Sequence, residues 1–229
     1  MRCPEFLLAV RFATKRGFKR AMKWLLSFII SLAFSTGVMA EKLVVIKTSL
    51  GDITVALDEE KAPITVANFL QYVDDDSYNN TIFHRVIANF MIQGGGHYSD
   101  MSEAPEKGLI RNEADNGLKN KKGTIAMARM NSIDSAGRQF FINTKNNRFL
   151  DHSRQSCTRE EEAKNAELRA KGRYKPQTCG SFGYTVFGEV TEGMDVVDLI
   201  ELTDTHSIGP YSDVPKTPVV IVSVERVGR

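Results

Sequence analysis

Short runs of β-branched and aromatic residues, separated by glycine-containing turns, recur from Lys42 to the end of the chain. Runs of this length and composition predict strands. The predicted strands are Leu43–Thr48, Ile53–Leu57, Ile82–Val86, Phe90–Gln93, Thr124–Ala128, Gln139–Ile142, Tyr184–Val190 and Pro218–Val224. Because the first and the last runs are both apolar, the pattern favours a mainly β protein whose sheet closes into a barrel.

Two segments have helical rather than strand spacing. A helix is predicted to begin at Ala62-Pro63, since proline is tolerated in a first helical turn. Its apolar positions fall at i, i+3, i+4 and i+7, which makes one stripe for core packing: Val66, Phe69, Leu70 and Val73. A second short helix is predicted after Gly193, and the two helices are expected to cap the barrel. Residues 97–123 and 130–138 are predicted to be loops.

Residues 152–182 interrupt this pattern and are interpreted as an insertion. Thr158 and Glu161 form a capping-box pattern, and Glu167 stands four residues before Lys171, which is the favourable order for an ion pair in a helix. Gly172 is a plausible stop for this helix. The flanking cysteines, Cys157 and Cys179, are predicted to form a disulfide, with two free thiols as the alternative.

The first forty residues have the pattern of a secretory signal peptide. Bases precede an apolar run from Trp24 to Phe34, and small residues then lead to Val38-Met39-Ala40. Cleavage is expected after Ala40, which leaves a domain from residue 41 to residue 229. Met22 is an alternative start, because Met22-Lys23 would itself begin a compact signal peptide. An uncleaved N-terminal anchor is the alternative to cleavage.

Charge excludes one class of partner. The whole chain has a formal net charge of +2, but residues 1–40 hold seven bases and one acid, so the remainder carries 23 bases and 27 acids, a net charge of −4. This remainder has no basic field for nucleic acid binding. No later stretch is long and apolar enough to span a membrane, so no membrane association is expected after the signal is removed.

Hydrolysis, metal catalysis and nucleotide chemistry find little support. The chain contains no Gly-x-Ser-x-Gly elbow, and its histidines do not stand at HExxH spacing. Gly94-Gly95-Gly96 is not followed by the Gly-Lys-Ser/Thr of a phosphate loop, and it predicts a turn or a close approach of two backbones. We therefore expect neither a cofactor nor a metal.

The segment from Phe83 to Gly96 places one arginine among apolar residues. By alternation, Phe83, Arg85 and Ile87 are predicted to share one face of their strand, and Met91 and Gln93 one face of the next. A few polar groups embedded among apolar ones are typical of a binding groove. Considered alone, Arg85 would more often form a structural ion pair, and the aromatic residues would more often belong to a core.

Four motifs taken together resemble the cyclophilin family of peptidyl-prolyl isomerases, and most closely its exported bacterial members. The resemblance extends from Lys42 to about Val227, apart from the insertion. The motifs are Phe83-His84-Arg85-Val86-Ile87 with Phe90-Met91-x-Gln93-Gly94-Gly95, Gly123–Ala128 followed by Gln139–Ile142, Phe149-Leu150-Asp151, and Val186-Phe187-Gly188. Asn112–Gly117 supports the similarity to exported members.

The resemblance implies a closed eight-stranded antiparallel barrel with a helix at each end and a groove on its outer surface. It implies that Arg85 is the catalytic residue. It also implies a set of substrate-binding residues, in which apolar side chains hold the proline ring, two glutamines orient it, and one segment binds the peptide through its backbone: Phe90, Met91, Gln93, Ala128, Arg129, Gln139, Phe141, Phe149, Leu150 and Tyr184.

Several positions depart from the family pattern. Ala88-Asn89 replaces the usual Pro-Gly, and Arg129 stands where asparagine is common. Phe149 occupies a frequent tryptophan position, and Tyr184 a common histidine position. The groove is therefore expected to keep its chemistry while its rim differs.

Together with the signal peptide, the resemblance implies a periplasmic, monomeric isomerase that accelerates X-Pro isomerisation in folding exported proteins, with proline-containing polypeptides as its partners. Two alternatives stay open at this stage. One is a non-catalytic chaperone module that uses the same groove to hold proline-containing segments. The other is an interaction domain of the cell envelope that works through the insertion.

Overall fold

The computed structural model describes residues 42–153, 156–172 and 182–228. All of them belong to the compact unit Glu41–Arg229. The predicted signal peptide lies outside the described residues, and so does Cys179. Cleavage after Ala40 and the pairing of Cys157 with Cys179 therefore stay predictions.

Ten strands and three helices make up the described chain. The strands are β1 Lys42–Thr48, β2 Gly51–Leu57, β3 Thr81–Ile87, β4 Met91–Tyr98, β5 Thr124–Arg129, β6 Ala136–Asn143, β7 Val186–Glu192, β8 Thr205–Ile208, β9 Tyr211–Pro215 and β10 Val220–Arg226. The helices are α1 Pro63–Asp74, α2 Arg159–Ala170 and α3 Met194–Glu201. Single 3-10 turns cover Ala114–Asn116 and Arg148–Leu150. Within the described ranges, no helix has the length and apolar character that a membrane crossing requires.

Eight of these strands close into an antiparallel barrel. Their order around the barrel is β1-β10-β3-β4-β6-β5-β7-β2. The first strand, β1, pairs with both β2 and β10, so the two apolar ends of the domain meet and seal the sheet. The predicted fold class is confirmed, and closure leaves the barrel without exposed edges.

The barrel core is filled from the inner face of the strands and from two helices. The predicted stripe of α1 is buried in this core, and so are Val197 and Ile200 of α3. Phe69 lies at the centre, with ring centroids 5.3 Å from Phe187 and 5.7 Å from Phe140. This packed core fixes the positions of the strands, and therefore also of the side chains on their outer faces.

The insertion begins as the sequence predicts. The Thr158 hydroxyl accepts a hydrogen bond from the Glu161 amide at 3.1 Å, and the Glu161 carboxylate accepts one from the Thr158 amide at 2.8 Å, so the capping box is confirmed. Lys171 forms its ion pair with Glu167. Gly172 adopts a left-handed conformation with φ of 67°, as expected for the end of a helix.

Two strand predictions are wrong in detail, and one hairpin is missed. Strand β4 continues through Gly94, Gly95 and Gly96, so the glycines form no turn; they permit close approach, because a Cβ at Gly96 would lie 2.5 Å from the Gln139 side chain. Strand β7 begins at Val186 instead of Tyr184. The hairpin β8–β9 is not predicted at all, because its short polar strands lack an apolar alternation.

Candidate active site

A row of four paired residues crosses the outer face of the barrel. Arg85 on β3 pairs with Gln93 on β4, Gln93 pairs with Phe141 on β6, and Phe141 pairs with Ala126 on β5. Because side chains alternate along a strand, the neighbours Ile92, Phe140 and Ile125 enter the core. The register thus places the arginine, the glutamine and the phenylalanine side by side outside the barrel.

The predicted face of β3 is wrong for one residue. Phe83 and Val86 both belong to the inner core, whereas Arg85 points outward. An irregularity in the β3–β4 pairing between Phe83 and Arg85 explains the break in alternation, because a bulge shifts the register of the side chains. Ile87, on the expected side, packs against the outer apolar cluster.

Apolar residues next to this row form a second hydrophobic cluster, separate from the barrel core. Its buried members come from four strands and the 3-10 turn: Met91, Ala126, Phe141, Leu150 and Val186. Partly buried residues pack around them, including Phe90, Ala128 and Tyr184. Phe141 and Tyr184 meet edge to face at 5.8 Å. The structure therefore brings most of the predicted proline pocket together.

Arg85 is half-exposed, with 41% of its side chain accessible. Within the described ranges, its guanidinium makes one hydrogen bond, in which Nη1 donates to Gln93 Oε1 at 3.4 Å. Its Nε lies 3.9 Å from the carboxylate of Asp213 on β9. A guanidinium has five N–H donors, so Arg85 retains donors that can face a substrate.

The two glutamines form a chain behind the arginine. Gln93 Nε2 donates to Gln139 Oε1 at 2.8 Å, while Gln93 Oε1 accepts from Arg85. These two contacts use both ends of the Gln93 amide, which fixes its orientation. Gly96 leaves room for the Gln139 side chain, as noted above. Of the predicted orienting groups, Gln93 is thus bonded to Arg85, and Gln139 is linked to Arg85 through Gln93.

The Ala88-Asn89 turn keeps the backbone shape that a glycine would allow. Asn89 has φ of 57°, and asparagine tolerates this left-handed region better than most residues. Its amide donates to Glu201 Oε1 at 2.5 Å, and the Phe90 carbonyl accepts from Asn147 at 2.8 Å. The departure from Pro-Gly therefore leaves Phe90 anchored at the groove.

Phe149 lies on the rim rather than in the pocket. It is 73% exposed, and its ring stacks on Phe90 at 5.5 Å with an interplanar angle of 26°. Leu150, the next residue, is buried in the outer cluster. The pair Phe90–Phe149 therefore extends the apolar surface beyond the pocket.

Arg129 uses its side chain to support the rim. Its Nε donates to the Gly183 carbonyl at 2.9 Å, its Nη1 donates to the Met130 carbonyl at 2.9 Å, and its guanidinium lies 4.8 Å from the Tyr184 ring. Burial lowers the pKa of Arg129. Ala128 and Arg129 also line a cavity of about 450 Å³ that continues the groove past Gln93 and Gln139.

The insertion is attached to this rim. Arg159 donates to Asp134 at 3.1 Å and to the Asn112 carbonyl at 2.8 Å, and Glu162 accepts from the Ile133 amide at 3.0 Å. These contacts tie the first turn of α2 to the loop that follows β5, through Ile133 and Asp134, and to the loop that precedes β5, through Asn112. The insertion thus supports the segment after Arg129.

Sequence reasoning misses Asp213, the acidic neighbour of Arg85. The residue lies on the unpredicted strand β9 and has φ of 61°, an uncommon conformation for a residue other than glycine. The four motifs of the resemblance do not contain it, and no local pattern around Tyr211–Pro215 indicates a contact with β3. Within the described ranges, no group of three His, Cys, Asp or Glu side chains is arranged to hold a metal ion.

Comparison with known proteins agrees with this geometry. Residues 43–226 match the family model described as cyclophilin type peptidyl-prolyl cis-trans isomerase/CLD. The chain is 43% identical to peptidyl-prolyl cis-trans isomerase A of Dickeya dadantii, over 90% of this chain and 97% of that protein. It is 46% identical to peptidyl-prolyl cis-trans isomerase B of Escherichia coli, over 80% of this chain and 98% of that protein.

Solved structures support the fold. A cyclophilin-type peptidyl-prolyl cis-trans isomerase of Cryptosporidium parvum has a TM-score of 0.60, with 22% identity, over 82% of this chain and 99% of that one. A second structure of that protein was determined in the presence of the dipeptide Ala-Pro. Because the family match covers most of the domain and the bacterial relatives are similar over nearly their whole length, this chain belongs to the cyclophilin-type peptidyl-prolyl cis-trans isomerases.

Proposed function

We propose that the groove isomerises X-Pro bonds of folding exported proteins, with Arg85 as its catalytic residue. One observation carries the assignment: Arg85 stands beside the apolar cluster of Met91, Phe141 and Leu150, with donors left over for a substrate. In this reading the cluster holds the proline ring. The half-exposed guanidinium faces the prolyl nitrogen, the ring atom that belongs to the X-Pro amide.

The reaction needs little more than these groups. Rotation about a peptide bond meets a barrier of roughly 18–20 kcal/mol, because the amide is resonance-stabilised. No covalent bond is made or broken, so neither a nucleophile nor a general base is required. As the bond twists, the prolyl nitrogen becomes pyramidal and gains a lone pair that can accept a hydrogen bond from Arg85. A donor that binds the twisted state better than either planar state lowers the barrier.

The other groove residues have binding roles in this proposal. Gln93 and Gln139 orient the guanidinium and the peptide, and the backbone of Ala128 and Arg129 holds the chain that precedes the proline. Phe90, Phe149 and Tyr184 enclose the ring from the rim. The chaperone alternative would need only this binding surface, and nothing in it would require a cation at the prolyl nitrogen.

Exchange NMR on an Ala-Pro peptide tests the division of roles, since it measures turnover and binding separately. We expect Arg85→Ala to lower kcat about 100-fold, the lower end of the loss seen when one preorganised donor is removed, and to change the peptide Kd less than threefold. Phe141→Ala should weaken binding instead. Equal losses of kcat and binding in Arg85→Ala would contradict the catalytic role. A wild-type protein that binds without turnover would support the chaperone alternative.

Export to the periplasm is the second part of the proposal. It is supported by the basic, apolar and small-residue segments of residues 1–40 and by the suitable cleavage site at Ala40. N-terminal sequencing of the protein recovered from the periplasmic fraction should give Glu41 as the first residue. A protein that retains residues 23–40 and sediments with membranes would indicate an uncleaved anchor. We expect the mature protein to be a monomer by analytical ultracentrifugation.

A further inference from the structure

A small basic pocket lies beside the groove. Its volume is about 350 Å³, and its lining residues are Lys119, Asn120, Lys121, Asn146, Arg148 and Asp151. Three of these side chains are cationic, and one is acidic. The acidic one is engaged within the protein, because Asp151 Oδ1 accepts the Asn120 amide at 2.7 Å and its side-chain nitrogen at 3.3 Å. The pocket thus presents a local excess of positive charge on a domain that is acidic overall.

The wall of the pocket is continuous with the wall of the groove. Arg148 begins the 3-10 turn Arg148–Leu150, whose last residue is buried in the groove cluster and whose middle residue stacks on Phe90. On the other side, Leu118 packs against the same cluster and immediately precedes Lys119. A peptide that leaves the proline pocket across Phe149 therefore passes over the cations.

We propose that this pocket, which we call the basic pocket, binds acidic side chains that flank the proline of a substrate chain. The inference rests on the proposed function and names the substrate class that the groove prefers. Continuity with the groove favours a flanking residue of the bound peptide over an anionic membrane surface. Charge complementarity favours Glu or Asp over neutral residues, because opposite charges attract, and it disfavours Lys or Arg, because like charges repel.

The neighbouring charges leave the basic pocket available. Lys122, next in the chain, is held by Asp198 at 2.8 Å and so points its charge toward α3. Lys119 donates to the His152 carbonyl at 3.4 Å, a contact that keeps its full positive charge. A patch of one sign raises the local concentration of oppositely charged ligands by a factor of about 10 or more at low ionic strength. Salt of about 0.1 M shortens the screening length to roughly 10 Å and weakens the effect.

The experiment compares peptides that share a central Ala-Pro and differ in flanking charge. Three residues on one side of Ala-Pro are Glu, Ala or Lys, and a second set carries the same residues on the other side. Exchange NMR gives kcat/KM for each peptide at low and at high salt. We expect one of the two sets to show about a tenfold higher kcat/KM for Glu than for Lys at low salt, shrinking as salt is added.

Two triple variants locate the source of that preference. The pocket variant carries Lys119→Gln, Lys121→Gln and Arg148→Gln. The control variant carries Lys42→Gln, Lys47→Gln and Lys61→Gln, which removes the same charge from the region of β1 and the turn before α1. We expect the pocket variant to turn over the Ala peptide normally and to lose the preference for Glu. The control should retain it. Equal thermal midpoints would show that both variants are folded.

Other outcomes overturn the inference in distinguishable ways. A wild-type protein that turns over Ala, Glu and Lys peptides alike keeps its proposed function and contradicts the basic pocket. A preference that disappears equally in both variants reflects overall charge, and also contradicts it. Binding of vesicles with anionic lipids, lost only in the pocket variant and without any peptide preference, would assign the pocket to a membrane surface. Absence of turnover for every peptide would remove the proposed function itself.

Discussion

Two arginines of the barrel, on strands β3 and β6 with β4 between them, have opposite surroundings. Arg138 on β6 is buried, with 2% of its surface accessible, and its three kinds of guanidinium nitrogen each donate to a backbone carbonyl: Nε to Gly95 at 2.6 Å, Nη1 to Pro105 at 2.5 Å and Nη2 to Ser77 at 2.5 Å. Arg85 on β3 is half-exposed and makes the two long contacts described above. Every nitrogen of the Arg138 guanidinium has a backbone partner, whereas the Arg85 guanidinium is held only loosely.

The difference shows what each position can do. The Arg138 guanidinium also lies 5.0 Å from the Tyr72 ring and 5.5 Å from the Tyr78 ring, so these rings and the three carbonyls together offset the cost of burying its charge. It ties together three segments that are distant in sequence, and its burial leaves little of its side chain accessible to a ligand. Arg85 contributes little to the fold and keeps its donors. The comparison predicts that stability depends on Arg138 and catalysis on Arg85.

The largest expected effect is on stability. Arg138→Met would leave the carbonyls of Gly95, Pro105 and Ser77 without their donor, and we expect the free energy of unfolding to fall by about 3–5 kcal/mol. Arg85→Met should cost less than about 1 kcal/mol, because its side chain is exposed and weakly paired. Urea unfolding followed by circular dichroism measures both.

Arg138→Lys is a milder replacement, which keeps the prediction testable if Arg138→Met does not fold. The lysine can reach one or two of the carbonyls, so an intermediate loss of about 2 kcal/mol is expected. Two Arg138 variants as stable as the wild type would show that the carbonyls find other donors and that the buried guanidinium is dispensable.

His84 is a second buried side chain that can carry a charge, and it lacks the partners that Arg138 has. It is 5% exposed and its neighbour His97 is 4% exposed, and neither Nδ1 has a partner among the described residues. Burial, and then the nearby charge of His97, lower the pKa of His84 from 6.5 to about 4, although hydrogen bonds with Ile82 and Gln139 oppose the shift. Unlike Arg138, this ring is expected to stay neutral, because its surroundings do not satisfy a cation.

The sign of the resulting pH dependence follows from the lowered pKa. Below about pH 6.5 the unfolded chain takes up a proton that folded His84 does not bind until about pH 4, so stability is complete above this window and falls within it. We expect a loss of about 2 kcal/mol between neutral pH and about pH 5. His84→Gln should flatten that part of the curve. Parallel curves for wild type and variant would place the titration elsewhere.

Much of the groove is predictable from the sequence, whereas the anchor at Arg138 is not. Ordered motifs identify Arg85, Gln93 and Phe141, because the groove lies on strands whose residues alternate regularly. Arg138 falls in a segment interpreted as a loop, and its partners come from residues 77, 95 and 105, which no local pattern connects. A buried charge is stable only where such carbonyls surround it. Because they come from distant parts of the sequence, the burial of Arg138 can be recognised only from the structure.

The wrong prediction that Phe83 shares the face of Arg85 also has a three-dimensional cause. Period-two alternation assumes a regular strand, and the irregular β3–β4 pairing removes that assumption at one point. The hairpin β8–β9 is missed for a related reason. Its strands, Thr205–Ile208 and Tyr211–Pro215, are short and mostly polar, and they are stabilised by contact with β3 rather than by their own pattern.

Replacing each arginine by lysine separates geometry from charge. At Arg85, lysine keeps the charge and loses the planar fork, so we expect kcat to fall about tenfold with unchanged stability. At Arg138, the same replacement should lower stability while the folded fraction turns over the Ala-Pro peptide normally. Exchange NMR under fully native conditions, combined with urea unfolding, gives both quantities. Loss of kcat at position 138 in a folded protein would show that the two arginines are coupled through β4 and β6.

The smallest expected effect concerns Asp213, the residue that partly balances Arg85. Its carboxylate lies 3.9 Å from Arg85 Nε, and both side chains are about 40% exposed, so water screens the pair. Asp213→Asn keeps an oxygen acceptor near Nε and removes the negative charge. Because Gln93 still orients the guanidinium, the prolyl nitrogen would experience a less compensated cation, and we expect kcat to rise about twofold.

Asp213→Ala removes the acceptor as well, and a freer guanidinium should lower kcat about threefold. Opposite signs for the two variants would show that Asp213 both positions Arg85 and weakens its field, whereas equal decreases would show that only its position matters.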